Sequence, residues 1–315
     1  MRLPQLKIGR LLPKYPIIQG GMAVRVSLAP LAAAVANAGG IGVIGATGMA
    51  PDELRAEIRE ARRRSSGIIG VNVMFAIRNF AELVRAALEE KIDLILTGAG
   101  FSRDVFGWGK ETGTPIIPIV SSGRLAAVAE KCGAAAVVAE GSEAGGHLGT
   151  RRSVADIVCE IRKAVKIPVI AAGGIVDGFG VARMLKLGAD GVQMATRFVL
   201  SRECTVADAF KEMYLRSKPE DVVVVESPVG MPGRALRNRF VEKLMQGRQP
   251  RPEHCKSCLK SCSNKYCILE ALEKSRTGQV QEGLVFCGQN VSQIKEVLPV
   301  QEIFRRIVAE VESVV

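Results

Sequence analysis

Two patterns of apolar and polar positions alternate along the first two thirds of the chain. A short run of apolar or small residues comes first, as in Ile69-Gly-Val-Asn-Val73, and reads as a strand buried on both faces. A longer stretch follows in which apolar residues return every three or four positions, the period of a helix with one buried side. Strands are predicted over 16–19, 41–45, 69–73, 93–96, 115–119, 134–139, 167–171 and 191–195. Helices are predicted over 28–38, 51–64, 78–90, 102–111, 123–132, 153–165, 178–187 and 205–216. Pro51 suits the first position of its helix, and Asp52 and Glu53 favour the positive N-terminal end. Eight strand–helix units in succession predict a (β/α)8 TIM barrel. An open doubly wound sheet is the alternative, because local patterns do not report closure.

The rhythm changes after Ser217. An extra strand is expected over 222–226, an irregular turn-rich stretch over 227–234, a helix over 235–245 and a linker with two prolines over 247–253. Four cysteines come next, then a helix over 266–276, an apolar stretch over 283–289 and a closing helix over 300–311. The expected division is a cofactor-binding barrel over 1–217, a lid with the cysteine motif over 218–298, and a C-terminal helix over 299–315 packing back on the barrel.

Composition adds limits. Apolar residues make up 48% of the chain, enough for a full core, and no apolar run approaches the ~18 residues of a membrane span. The N-terminus lacks the apolar core of a signal peptide, so a cytoplasmic location is expected. Eight cysteines in that setting point to thiols or metal ligands rather than disulfides. The net charge of +11 is uneven: Arg234 to Arg276 holds eleven Lys/Arg against four Glu. Aromatic stacking residues are scarce and no nucleic-acid motif is present, so the basic stretch is read as a surface for an acidic protein or a phosphorylated substrate. A homodimer is a reasonable expectation.

In a barrel, chemistry sits at the C-terminal ends of the strands. After the sixth strand comes Glu140-Gly-Ser-Glu-Ala-Gly-Gly-His147-Leu-Gly149, which presents one of only two histidines in the chain. An imidazole at a strand end among glycines suits proton transfer; capping a turn is its plainer role. Glu140 and Glu143 could orient it, although solvated carboxylates are the simpler reading. Gly173 and Gly174 after strand seven, with Gln193, Met194 and Thr196 after strand eight, fit the phosphate site that barrels build from those two loops.

Five ordered motifs carry a family resemblance: Pro16-Ile-Ile-Gln-Gly-Gly-Met22, Gly70-Val-Asn-Val-Met74, the histidine stretch, Ala171-Ala-Gly-Gly-Ile175 and Gly188-Ala-Asp-Gly-Val-Gln-Met194. Together they resemble the nitronate monooxygenase (2-nitropropane dioxygenase) superfamily, which also holds the flavin-dependent enoyl-acyl-carrier-protein reductases. The resemblance implies FMN, with Gly20, Gly21, Met22 and Asn72 lining the isoalloxazine and Gly174, Gln193 and Thr196 holding the ribityl phosphate. It implies His147 as acid/base and flavin N5 as hydride carrier in reduction or dehydrogenation of an acyl or enoyl thioester in fatty acid biosynthesis. The acyl-carrier protein would be the partner. Oxidation of alkyl nitronates by O2 is the alternative, and a flavin-holding electron-transfer subunit is a third. Ser227-Pro-Val-Gly-Met-Pro-Gly-Arg234 and Gly283-Leu-Val-Phe-Cys-Gly-Gln289 resemble the reductase branch and are expected only to shape an acyl pocket.

Cys255, Cys258, Cys262 and Cys267 fall within thirteen residues. A zinc ribbon separates two short knuckles by a longer gap, which is missing here, so a [4Fe–4S] cluster is favoured over zinc. The motif resembles a cysteine-bearing branch of the same superfamily, the acyl-carrier-protein dehydrogenase/isomerases with FMN and [4Fe–4S]. Cys132, Cys159 and Cys204 are expected in packing roles, and Cys287 is left open.

Overall fold

The protein is described from a computed structural model that covers residues 1–249, 251–252 and 255–314. Pro250 and Glu253 of the expected linker, His254, and the last residue of the expected C-terminal helix lie outside the described residues.

Eight parallel strands form the sheet: β1 (Ile17–Gln19), β2 (Gly42–Gly45), β3 (Ile69–Met74), β4 (Leu94–Gly98), β5 (Ile116–Val120), β6 (Val137–Glu140), β8 (Val169–Ala172) and β9 (Gly191–Met194). A two-residue strand, β7 (Gly146–His147), falls outside this sheet. The helices that follow the strands are α1 (Ala29–Asn37), α2 (Pro51–Arg64), α3 (Phe80–Glu89), α4 (Asp104–Thr112), α5 (Gly123–Lys131), α6 (Val154–Ala164), α7 (Gly178–Lys186), the short α8 (Thr196–Val199) and α9 (Asp208–Arg216). Strand order runs β1-β9-β8-β6-β5-β4-β3-β2. The ends meet where Ile18 bridges Ile41, with Gln19 N–H donating to the Ile41 carbonyl at 2.9 Å. The sheet is therefore a nearly closed TIM-type barrel rather than the open sheet.

Local chemistry sets the helix starts. Ser122, Ser153 and Asp177 each cap a helix by accepting a backbone N–H from its first turn. One apolar core lies between strands and helices. A second fills the barrel interior with Ile18, Ile41, Val43, Leu94, Leu96, Ile117, Val138 and Ile170. Leu6, Ile8 and Leu11 of the N-terminal segment join that interior core. Leu6 lies beside Gly191 and Gly9 beside Pro115, at the starts of two strands, so this segment plugs the bottom of the barrel. The large cavity of the barrel lies at the opposite end, the top.

After the barrel come β10 (Val222–Val225), β11 (Gly233–Leu236), α10 (Arg239–Met245), α11 (Ile268–Arg276) and α12 (Val300–Ser313). The helix expected over 235–245 starts later, at Arg239, capped by Asn238. Ala235 and Leu236 belong instead to β11, which pairs antiparallel with β10 on one side and β7 on the other. An apolar stretch this short has no period of its own, and its partners lie far away in sequence. Helix α12 packs against α7 and α1, where Phe304 meets Tyr15 and Phe198 with ring centroids 5.8 and 5.9 Å apart.

Candidate active site

A cavity of about 450 Å³ opens over the C-terminal ends of the strands. Gly20, Gly21, Met22, Asn72, His147, Gln193 and Thr196 line it together, although they come from four separate stretches of sequence. Met194 does not: pleating turns it into the core while Gln193 faces the ligand space. Gly173 and Gly174 form the turn after β8, both in the left-handed region at φ 123° and 67°. They pack against the Glu143 loop outside the main cavity, and Asn290 Nδ2 donates to the Gly174 carbonyl at 2.6 Å. Thr196 Oγ1 accepts the Gly288 N–H at 2.9 Å.

The floor carries polar atoms without partners. Asn72 donates from Nδ2 to the Gly21 carbonyl at 3.0 Å, but its buried Oδ1 has no partner, and neither has Gln193 Oε1. These buried amide oxygens are free to accept a donor from a ligand. The outer wall is apolar. Leu259 and, from α11, Ile268, Leu269 and Leu272 close over the space together with Ile77 and Val229.

His147 is held from two directions. Strand β7 pairs with β11, His147 opposite Gly233 and Gly146 opposite Arg234. Arg234 reaches back with Nη2 to the Ser142 carbonyl at 2.7 Å and Nε to the Ala144 carbonyl at 3.2 Å. His147 Nε2 lies 2.8 Å from Ser227 Oγ, and the Phe286 ring meets the imidazole edge-on at 5.2 Å. The stretches 227–234 and 283–289 thus do more than shape a pocket: they fix the histidine loop, and the second also abuts Thr196 and Glu143. Sequence reasoning singled out both segments but missed Ser227 and Phe286, because the contacts span 80 residues or more.

The two acidic neighbours do not orient the imidazole. Glu143 Oε2 accepts the Val154 N–H at 2.9 Å and so caps α6. Glu140 lines the cavity, and burial alone pushes its carboxyl up to about 8. Burial lowers His147 to about 4, so the imidazole is neutral at pH 7 and available as a base. These shifts act on stability in opposite directions. Glu140 is raised from 4.5, so its contribution is complete at low pH and is lost as pH climbs from about 4.5 to about 8. His147 is depressed from 6.5, so stability is lost as pH falls from about 6.5 to about 4. In the apoprotein, Glu140→Gln should gain Tm relative to wild type as pH is raised toward 8, and a thermal scan across pH checks it. An unchanged difference in Tm at all pH values would remove the carboxyl from the buried, uncharged state.

The cysteine segment is tied to the loop after β3. Arg78 donates from N to the Cys258 carbonyl at 2.9 Å and from Nε to the Leu259 carbonyl at 3.0 Å, while Lys260 N–H reaches the Ala76 carbonyl at 2.9 Å. The expectation that the four sulfurs form one metal shell is not met by their placement. Among the described residues no three His, Cys, Asp or Glu side chains converge to hold an ion. Cys258 and Cys262 lean on the apolar core while Cys255 is exposed, so the thiols face different surroundings. Two turns still resemble each other: Ser257 N–H points to Cys255 Sγ and Asn264 N–H to Cys262 Sγ, both at 3.4 Å, with Ser257 and Asn264 at positive φ. Cys204 and Cys287 are both buried. Cys287 lines the cavity, and burial pushes its thiol up to about 12.

The family profile for nitronate monooxygenase matches residues 5–89 and 74–310. The chain belongs to the nitronate monooxygenase family. It is an oxidoreductase. A Mycobacterium tuberculosis protein named (3aS,4S,5R,7aS)-5-hydroxy-7a-methyl-1-oxo-octahydro-1H-indene-4-carboxyl-CoA dehydrogenase is 35% identical over 240 residues, covering 76% of this chain and 67% of that protein. A probable nitronate monooxygenase of Staphylococcus aureus is 34% identical over 278 residues, covering 74% of this chain and 78% of that protein. The structure of FabK from Thermotoga maritima superposes with a TM-score of 0.87 at 37% identity, over 95% of this chain and 93% of that one. Among the described residues no helix is long and apolar enough to cross a membrane.

Proposed function

We propose that this member of the nitronate monooxygenase family is an FMN-dependent oxidoreductase acting on acyl or enoyl thioesters. The observation that carries the reading is the two-part cavity, with unpaired amide oxygens at its floor and an apolar wall above. The floor fits a flavin: Asn72 Oδ1 and Gln193 Oε1 can accept from imide N–H or ribityl hydroxyl groups, and Gly20 and Gly21 keep the cradle free of side chains. Met22 would flank the ring, and Gly173, Gly174 and Thr196 would serve the phosphate end. When bound, FMN supplies the hydride acceptor or donor. His147, neutral and at the cavity wall, takes or returns the proton on the carbon next to the thioester carbonyl. The apolar wall excludes water and holds an aliphatic chain, for which a small nitronate has no use. That length of apolar surface supports the thioester over nitronate oxidation, and the names of the mycobacterial relative and of the staphylococcal one stand on opposite sides of this choice.

In this reading 1–217 forms the flavin barrel, 218–298 the lid and 299–315 the helix that braces it. Assays with an enoyl thioester plus NAD(P)H, a saturated acyl thioester and an alkyl nitronate, each anaerobically and in air, test it. Turnover of the nitronate alone would overturn the thioester assignment. Arg237, Arg239, Arg248 and Lys256 are exposed on the lid, with Arg239 3.5 Å from Glu282. If they receive an acidic carrier protein, reversing their charge weakens carrier-bound substrates more than free thioester mimics. The difference should shrink in salt, since exposed charges are screened over ~8 Å near physiological ionic strength. Equal losses on both substrates would assign these residues to the lid itself.

The four cysteines complete the proposal as ligands of a [4Fe–4S] cluster. Their spacing supports it, as do the paired N–H···S turns at Cys255 and Cys262, which stabilise thiolate. Binding would require the loop to close, because the sulfurs do not converge as they stand. Protein purified anaerobically is then brown, with about four iron and four sulfide per chain. Cys258→Ser loses that absorbance and keeps FMN. Zinc in place of iron would leave only a structural role.

A further inference from the structure

We propose that Arg103, Arg124 and Arg151 form a phosphate-binding rim at the mouth of the cavity, and that the thioester entering there is a thioester of coenzyme A. The inference rests on the thioester reading above and names the carrier of that substrate.

Exposure locates the mouth. Among the described residues that line the cavity, the exposed ones are Gly100, Leu125, Gly145 and Gly149, while those from the β1 loop, α8 and α9 are buried or half-buried. Gly100, Leu125 and Gly149 follow β4, β5 and β6, which are neighbours in the sheet. Ser121 Oγ donates to the Gly149 carbonyl at 3.4 Å and ties two of these loops together. The cavity therefore opens between the three loops, beside His147, which lies two residues before Gly149.

Each loop carries an exposed arginine within two residues of the lining: Arg103 after Phe101, Arg124 before Leu125 and Arg151 after Gly149. Among the described residues no carboxylate pairs with any of the three, whereas the neighbouring Arg152 is paired with Glu160. Their positions are unfavourable in the protein alone. Arg103 precedes the first residue of α4, Arg124 is the second residue of α5, and Arg151 lies two residues before the Ser153 cap of α6. A helix N-terminus carries positive partial charge, so it repels a cation and attracts an anion. A phosphate group placed among the three arginines turns that repulsion into binding. Coenzyme A fits better than a carrier protein. Beyond its pantetheine arm it bears a diphosphate and a separate 3′-phosphate, anions enough for cations on three loops, whereas a carrier protein brings a single phosphodiester. Leu125, 44% exposed, and Val128, one turn further along α5, add an apolar face beside Arg124 on which the adenine can lie. The basic residues of the lid are a separate surface, since none of the described residues from 232 to 258 lines the cavity.

The test is calorimetric titration of the full chain, saturated with FMN, with coenzyme A, 3′-dephospho-coenzyme A and pantetheine. Wild type should bind them in that order of decreasing affinity, with differences that shrink as salt is added. Arg103→Ala, Arg124→Ala and Arg151→Ala should each weaken coenzyme A by about two- to fivefold, and the triple variant by about tenfold to a hundredfold. The single variants carry the test should the triple one not fold. Arg10→Ala removes an exposed arginine at the plugged bottom of the barrel and should leave the affinity for coenzyme A as in wild type. Unchanged affinity in the arginine-rim variants, with wild-type circular dichroism spectra, would overturn the proposal, as would equal binding of coenzyme A and pantetheine. A loss confined to NADPH, or to thioesters on a carrier protein, titrated in the same way, would overturn it too. Coenzyme A carries no acyl group and its binding is read without turnover. The rim can therefore fail while phosphate-free thioester mimics are still turned over, which keeps its failure distinct from that of the thioester chemistry.

Discussion

His147→Ala should lose turnover by about 10²–10⁴-fold while the variant still binds FMN. The size of the loss reflects the lack of any substitute base beside it. Glu140 shares the cavity, but burial holds its carboxyl protonated through neutral pH, so it cannot accept the proton. Tyr214 and Cys287 also line the space, and burial pushes both phenol and thiol upward. Among the described residues that line the cavity, the imidazole alone is deprotonated and ready. Its depressed value also sets the pH profile: the rate of proton abstraction should stay high down to about pH 4, well below the usual histidine range near 6.5. FMN retention is expected because the cradle residues Gly20, Gly21, Asn72 and Gln193 belong to other strands. Stopped-flow reduction of the flavin by substrate, with occupancy read from flavin absorbance, separates the two effects. Near wild-type rates in the alanine variant would end the assignment of His147 as acid/base.

The barrel was legible because each strand is buried on both faces and each helix on one, so the period of the sequence switches at nearly every boundary. Pro51–Arg64 illustrates this: proline and acids at the start, three arginines at the end, and Leu54, Ile58 and Ala61 as the buried stripe, giving the predicted bounds without adjustment. That Gly20, Gly21, Asn72, His147 and Gln193 line one cavity was legible as well, since strand ends in a barrel converge whatever their distance in sequence. What local patterns could not carry was pairing across the chain. Strand β7 has two residues and no periodicity, and it exists only because β11 lies beside it. Ser227 looked like one more turn residue until His147 was seen 2.8 Å away. The N-terminal plug of Leu6, Ile8 and Leu11 escaped for a similar reason, since it needs the finished barrel to bury against. Met194 shows what a motif does not tell: its side chain turns inward by the alternation of its own strand, while Gln193 beside it faces the cavity.

The second large effect is expected at Gly21, where one methyl group should cost FMN binding about tenfold to a hundredfold. Gly21 has no left-handed backbone requirement, so conformation alone would allow alanine. Space would not. A Cβ built there lies 2.3 Å from Asn72 Cβ and 3.0 Å from Asn72 Nδ2. Asn72 cannot simply swing aside, because its Nδ2 already donates to the Gly21 carbonyl at 3.0 Å and it sits on β3, paired to β2 and β4. Either the β1 loop or the Asn72 side chain must move, and both form the floor on which the flavin would rest. Overpacking of this kind costs ~1–3 kcal/mol, and each 1.4 kcal/mol is a factor of ten in affinity. The displaced Asn72 would also take its unpaired Oδ1 away from any ligand donor. Gly107→Ala on α4 provides the control, since nothing lies within 4 Å of the added methyl and a helical glycine is exchanged for a better helix former. Fluorescence titration of apoprotein with FMN should therefore separate the two variants while their circular dichroism spectra stay alike. Equal FMN affinity in Gly21→Ala and wild type would mean that the flavin does not rest on this loop, and the cavity floor would have to be assigned to a different ligand.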